Sequence, residues 1–79
     1  MTEQQIQSKK IKQLESDGYY VIKLSKTNKN GIPDLLAIPK NSDVIFIECK
    51  TNKGIVSSLQ EYRMKELNGH GIKTEVHRG

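Results

Sequence analysis

A chain of 79 residues with 13 Lys+Arg against 9 Asp+Glu, a formal charge of +4, has room for one domain over residues 1–79. A single cysteine, Cys49, excludes a disulfide framework, and with only His70 and His77 beside it no Cys/His spacing supports zinc. The hydrophobic 34% is gathered in clusters, and no apolar run approaches the ~20 residues of a bilayer span, so a folded chain that does not cross a membrane is expected.

Thr2 to Ser16 reads as a helix, with Thr2 as its cap and Gln5 completing a capping box. Ile6, Ile11 and Leu14 share one broad arc, and Asp17-Gly18 ends the helix. Tyr19 to Leu24 is rich in β-branched and aromatic residues and reads as a strand. Ser25 to Gly31 is a polar loop carrying Lys26 and Lys29. Asp34 to Ile38 is a second strand entered through Pro33, and Pro39 to Asp43 a turn. Val44 to Lys50 is the clearest strand; its near-continuous apolar run predicts a central position. A loop through Gly54 leads to a helix over Ser58 to Asn68, capped by Ser57 or Ser58 and closed by Gly69 and Gly71. Ile72 to His77 alternates like a last, half-exposed strand.

The order is α-β-β-β-α-β. Short connections make the first three strands an antiparallel meander, and a helical crossover makes the third and fourth parallel. The fold class is therefore α/β (α+β), a mixed four-stranded sheet flanked by helices. The lone thiol and the absence of a basic-then-apolar N-terminal segment point to an intracellular setting. A pI of 9.3 makes a polyanion, nucleic acid first, the expected partner. A core this small needs reinforcement, and self-association is the means left to it.

The central strand ends in Glu48-Cys49-Lys50. Side chains alternate, so Glu48 and Lys50 share one face and Cys49 takes the other. In the meander the start of the second strand lies beside the end of the third, which brings Asp34 to Glu48 and Lys50. Two adjacent carboxylates repel unless a cation lies between them. Mg²⁺ or Mn²⁺ suits such oxygen ligands, can polarise a phosphoryl oxygen and acidify a water, and a nearby ammonium can orient that water or stabilise developing charge.

Pro33-Asp34 followed by Glu48-Cys49-Lys50 resembles the D…E-x-K core of the PD-(D/E)xK nuclease superfamily, whose restriction-endonuclease-like core has the same element order. Within it, Gly31-Ile32-Pro33-Asp34-Leu35-Leu36, Phe46 to Lys50, and Ser57-Ser58-Leu59-Gln60 with Leu67 and Gly71 resemble the blocks of the VRR-NUC (virus-type replication-repair nuclease) family across nearly the whole chain. The resemblance implies a divalent-metal-dependent endodeoxyribonuclease of viral or phage type. It would act on branched DNA such as four-way (Holliday) junctions, as a homodimer, in the cytoplasm of a bacterial host if viral. Asp34 and Glu48 would hold the metal with the Cys49 backbone carbonyl, and Glu3 is a further candidate ligand. Lys50 would position or activate the water, and Gln60 would assist.

Each residue also has a plainer reading. Asp34 could be a turn carboxylate, and Glu48 and Lys50 an exposed pair at a strand end, but all three beside Gly31-Ile32-Pro33 favour a site. Gln60 could serve only the capping box of Ser57, and Glu3 only the helix dipole. Cys49 reads as a small buried apolar residue, His70 as a turn residue and His77 as an exposed one. Lys9, Lys10 and Lys12 read as the solvated side of the first helix. Lys26, Lys29, Lys53 and Arg63 are the candidate phosphate contacts. Tyr19, Tyr20 and Tyr62 read as core or interface. The rival reading is a non-catalytic DNA-binding module that kept the nuclease fold; a second is a small interaction protein pairing through its last strand.

Overall fold

The computed structural model describes residues 1–79. Its elements are α1 (Glu3–Ser16), β1 (Tyr20–Lys23), β2 (Leu35–Ile38), β3 (Ile45–Lys50), α2 (Ser58–Gly69) and β4 (Lys73–Arg78). The strands lie side by side as β1-β2-β3-β4. β1/β2 and β2/β3 are antiparallel, and β3/β4 is parallel. This is the mixed sheet expected from the sequence, with no element end displaced by more than one residue.

Both helices begin with a closed capping box. The Thr2 side chain accepts from the Gln5 backbone N–H while the Gln5 side chain accepts from the Thr2 N–H, and Ser57 and Gln60 do the same for α2. Each box satisfies two N–H groups that helical geometry leaves without partners. α1 ends at Asp17, and Gly18 then takes φ +91°, a conformation that a side chain would disfavour.

Strand alternation sorts the sheet into two unlike faces. Leu35, Ala37, Ile47 and Cys49 point to one face and meet Ile6 and Leu14 of α1; these six form the buried apolar core. Ile11, Tyr19, Val21 and Ile45 pack around them. Truncating Leu35 or Ile47 to Ala would cost about 2–5 kcal/mol, a large share of what such a core supplies. The opposite face carries Leu36, Ile38, Phe46, Glu48 and Lys50. α2 packs toward β4 and has no buried residue, so Met64 and Leu67 are only half-covered. Beyond α2 that face stays open over β1, where Tyr20 and Ile22 are 68% and 40% exposed.

β3 lies between β2 and β4, and its last four residues, Ile47 to Lys50, are all buried. Two ionisable side chains, Glu48 and Lys50, thus sit where an apolar strand would ordinarily place hydrocarbon.

Candidate active site

The antiparallel pairing of β2 and β3 sets Leu35 opposite Ile47 and Leu36 opposite Phe46. Continued by one step, the register sets Asp34 opposite Glu48, as expected from the meander. Asp34 is half-buried, and its Oδ2 accepts the Cys49 backbone N–H at 2.8 Å across the end of the two strands. On its other side the Asp34 carbonyl accepts from the Leu24 N–H at 2.8 Å. Backbone bonds from two neighbouring segments therefore hold the residue.

Glu48 is 1% exposed. Its Oε2 accepts from Gln60 Nε2 at 3.0 Å and lies 3.7 Å from Lys50 Nζ. Its Oε1 is buried and has no hydrogen-bond partner. Burial and the adjacent Asp34 charge push the Glu48 carboxyl up to about 7, against the opposing pull of Lys50. Lys50, itself only 9% exposed, also reaches Glu3 Oε2 at 3.8 Å. Its ammonium thus lies between a buried carboxylate and a half-exposed one.

Gln60 occupies both of its sequence-based roles at once. Its Oε1 accepts the Ser57 N–H at 2.9 Å as the capping box requires, while its Nε2 donates to Glu48. The two ends of one amide tie the start of α2 to the buried carboxylate. Glu3, the first residue of α1, sets its Oε2 3.8 Å from Lys50 Nζ. No group of three or more His, Cys, Asp and Glu side chains converges as a metal cage. Asp34 and Glu48 are the two carboxylates set opposite each other at the strand ends, and Glu3 reaches them through Lys50.

These residues nevertheless fit a hard divalent cation. An unpartnered buried carboxylate oxygen costs free energy, and a second carboxylate beside it raises that cost. Asp34 keeps Oδ1 outside the bond to Cys49. The Cys49 carbonyl is a candidate third oxygen, because alternation along β3 turns it, with its N–H, toward β2. A set of two carboxylates and one carbonyl suits Mg²⁺ or Mn²⁺, which keep water and phosphate oxygens in their remaining positions.

The basic residues divide. Lys26 and Lys29 are exposed on the β1–β2 loop, where Thr27 Oγ1 donates to the Lys29 carbonyl at 2.6 Å. Gly31 closes that loop with φ +82°, and a Cβ there would lie 2.7 Å from Leu59 Cγ of α2. Arg63 is engaged within the chain: Nε donates to the Asn30 carbonyl and one terminal nitrogen to Glu66, each at 2.8 Å. It clamps the lysine loop to α2, a role for which the sequence carries no local signal, since Asn30 lies 33 residues away. On the other flank Lys53 is exposed in a loop held by Arg78, which donates to the Thr51 and Gly54 carbonyls.

His70 is the C-cap of α2, as a turn residue. His77 is half-buried on β4, more covered than expected, and burial followed by the Lys10 charge lowers its pKa. Cys49 is buried at 0% exposure, and burial with the Asp34 and Glu48 charges pushes its thiol up to about 11. Tyr19 joins the core margin, whereas Tyr62 is 56% exposed.

A mixed sheet with paired carboxylates and a lysine at the end of its central strand defines a nuclease-type domain. The model of the VRR-NUC domain matches residues 1–79, and the chain belongs to that family. A solved structure described as a VRR_NUC domain superposes with a TM-score of 0.85 at 26% identity, covering 100% of this chain and 86% of the other. No curated protein matches. No helix is long and apolar enough to cross a membrane.

Proposed function

We propose that this domain is a divalent-metal-dependent endodeoxyribonuclease that hydrolyses phosphodiester bonds in branched DNA. The observation carrying this reading is Glu48: a buried carboxylate with one unpartnered oxygen, beside Asp34 and within 3.7 Å of the Lys50 ammonium. A fold does not select such a residue for stability, because desolvation alone makes it costly.

Asp34, Glu48 and the Cys49 carbonyl would hold Mg²⁺ or Mn²⁺. When bound, the ion supplies charge neutralisation at the phosphoryl oxygens and acidifies a coordinated water. Lys50 orients the attacking water or stabilises the charge that develops on the phosphate. Gln60 fixes the Glu48 rotamer through Oε2, and Oε1 is left without a partner and free to ligate. Lys26, Lys29 and Lys53 would contact phosphates on the two flanks, giving affinity without base reading, so selectivity rests on DNA shape. Arg63 serves them by holding the loop.

The homodimer belongs to the same reading. Tyr20 and Ile22 on β1, beside half-covered Leu36 and Ile38 on β2, leave an apolar strip on the sheet face that carries Glu48. A second copy packed there across a two-fold axis would pair two active sites, as a symmetric junction requires.

The test is incubation with four-way-junction and linear DNA in Mg²⁺, Mn²⁺ or EDTA, alongside Lys50→Ala. Metal-dependent cleavage of the junction, reduced by at least about 10²-fold in the variant, is expected. DNA retention without cleavage in any metal would instead favour the non-catalytic binding module.

A further inference from the structure

Pro33 is buried just beyond the Leu35/Ile47 end of the β2/β3 ladder. Leu35 faces Ile47, so the next pair of the same kind is Pro33 opposite Cys49. In an antiparallel ladder, pairs two residues apart are equivalent, and hydrogen-bonded partners exchange both N–H···O bonds. The Lys50 carbonyl accepts from Gly79 on the β4 side, so alternation turns both backbone groups of Cys49 toward β2. Residue 33 should therefore donate to the Cys49 carbonyl, and proline has no N–H to donate. The Cys49 N–H, for its part, goes to Asp34 Oδ2 at 2.8 Å.

We infer that Pro33 is a positioning residue for the cation site. Lacking an N–H, it leaves the Cys49 carbonyl without its ladder donor and so free to ligate metal, while the Cys49 N–H goes to the Asp34 carboxylate. One of the three proposed metal-ligating groups is thus set by this one missing hydrogen. The inference rests on the proposed metal-dependent reading. It accounts for a proline at a buried place beside a central strand, where a lost ladder bond would ordinarily count against it.

The test uses two chemically synthesised variants of the full chain. Pro33→Ala restores an N–H, whereas Pro33→N-methylalanine removes the ring but still offers none. Mn²⁺ affinity is measured by calorimetry on folded protein, and hydrogen exchange is followed at the new amide in Pro33→Ala. The expected result is a protected amide and Mn²⁺ binding weaker by roughly three- to tenfold, the equivalent of about one net hydrogen bond. Pro33→N-methylalanine should bind as the wild type does, although both variants lose ring packing and stability alike. Equal Mn²⁺ affinity in the two variants, or a freely exchanging amide, overturns the inference while leaving the nuclease reading intact. A wild-type chain that binds no Mn²⁺ and cleaves no DNA overturns both.

Discussion

Glu48→Gln should stabilise the metal-free protein above neutral pH while abolishing its cleavage of DNA. The Glu48 carboxyl is raised from 4.5 to about 7, chiefly by burial and then by the Asp34 charge. Below pH ~4.5 this carboxyl is protonated in folded and unfolded chains alike. As pH rises toward 7 the unfolded chain gives up the proton and the folded chain keeps it, so unfolding is favoured. Above about 7 both states are ionised and the penalty is constant. A carboxyl carried from 4.5 to about 7 corresponds to about 3 kcal/mol of stability lost across that window. For a domain of this size that is about 12–24 °C in Tm. Gln is neutral throughout and keeps the oxygen that accepts the Gln60 amide, so it escapes the penalty without breaking that bond. Urea unfolding in EDTA at fixed protein concentration, at pH 4.5 and pH 8, reads the difference directly. The two proteins should be close at the lower pH, and the variant should lead by up to about 3 kcal/mol at the higher. Added Mn²⁺ should close the gap by binding only the wild-type fold. A difference between variant and wild type that does not change with pH would refute the reasoning.

Other outcomes follow from single contacts. Gln60→Ala removes both the cap acceptor and the Glu48 donor, so it should cost about 1–2 kcal/mol and slow cleavage; Gln60→Glu keeps the box and should slow cleavage with less effect on helix stability, checked by unfolding and single-turnover assays. Gly31→Ala meets Leu59 at 2.7 Å with φ +82°, and should destabilise by about 1–3 kcal/mol in urea melts. The Cys49 thiol, pushed up to about 11, should resist iodoacetamide at pH 8 in the folded protein and react once unfolded, read by mass spectrometry. Ile22→Glu should shift the mass seen by light scattering toward the monomer at micromolar concentration.

The sheet order was legible because each strand carried its own signal: a β-branched run at Val21-Ile22, a proline entry before Asp34, an apolar run from Val44 to Ile47, and alternation from Ile72 to His77. The capping box of α1 was legible for the same reason, being written in four consecutive residues, whereas the α2 cap stayed open between Ser57 and Ser58 until the structure fixed Ser57. The juxtaposition of Asp34 with Glu48 needed only the meander. What could not be read was set by contacts between distant segments. Nothing near Arg63 announces that its guanidinium will reach Asn30. The contact of Glu3 with Lys50 likewise joins segments 47 residues apart. His77 alternates like an exposed residue, and its cover comes from α1, a segment far from it in sequence.

The loose packing of α2 links the site to the fold. With no buried residue of its own, this helix gains little from the hydrophobic effect and depends on polar attachments. These are Gln60 to Glu48, Arg63 to Asn30, and Thr74 Oγ1 to Asn68 Oδ1 at 3.1 Å. Two of the three run to Glu48 or to the lysine loop. The contacts that complete the site are thus also those that dock the helix. A change in charge at Glu48, by protonation or by a bound cation, alters the acceptor of the Gln60 amide, and through it a tie between α2 and the sheet. Hydrogen exchange across residues 58–69 should therefore respond to Mn²⁺ more than exchange in α1, which is held by Ile6 and Leu14 in the core. Equal protection changes in the two helices would mean that the apolar core, and not Gln60, carries the coupling.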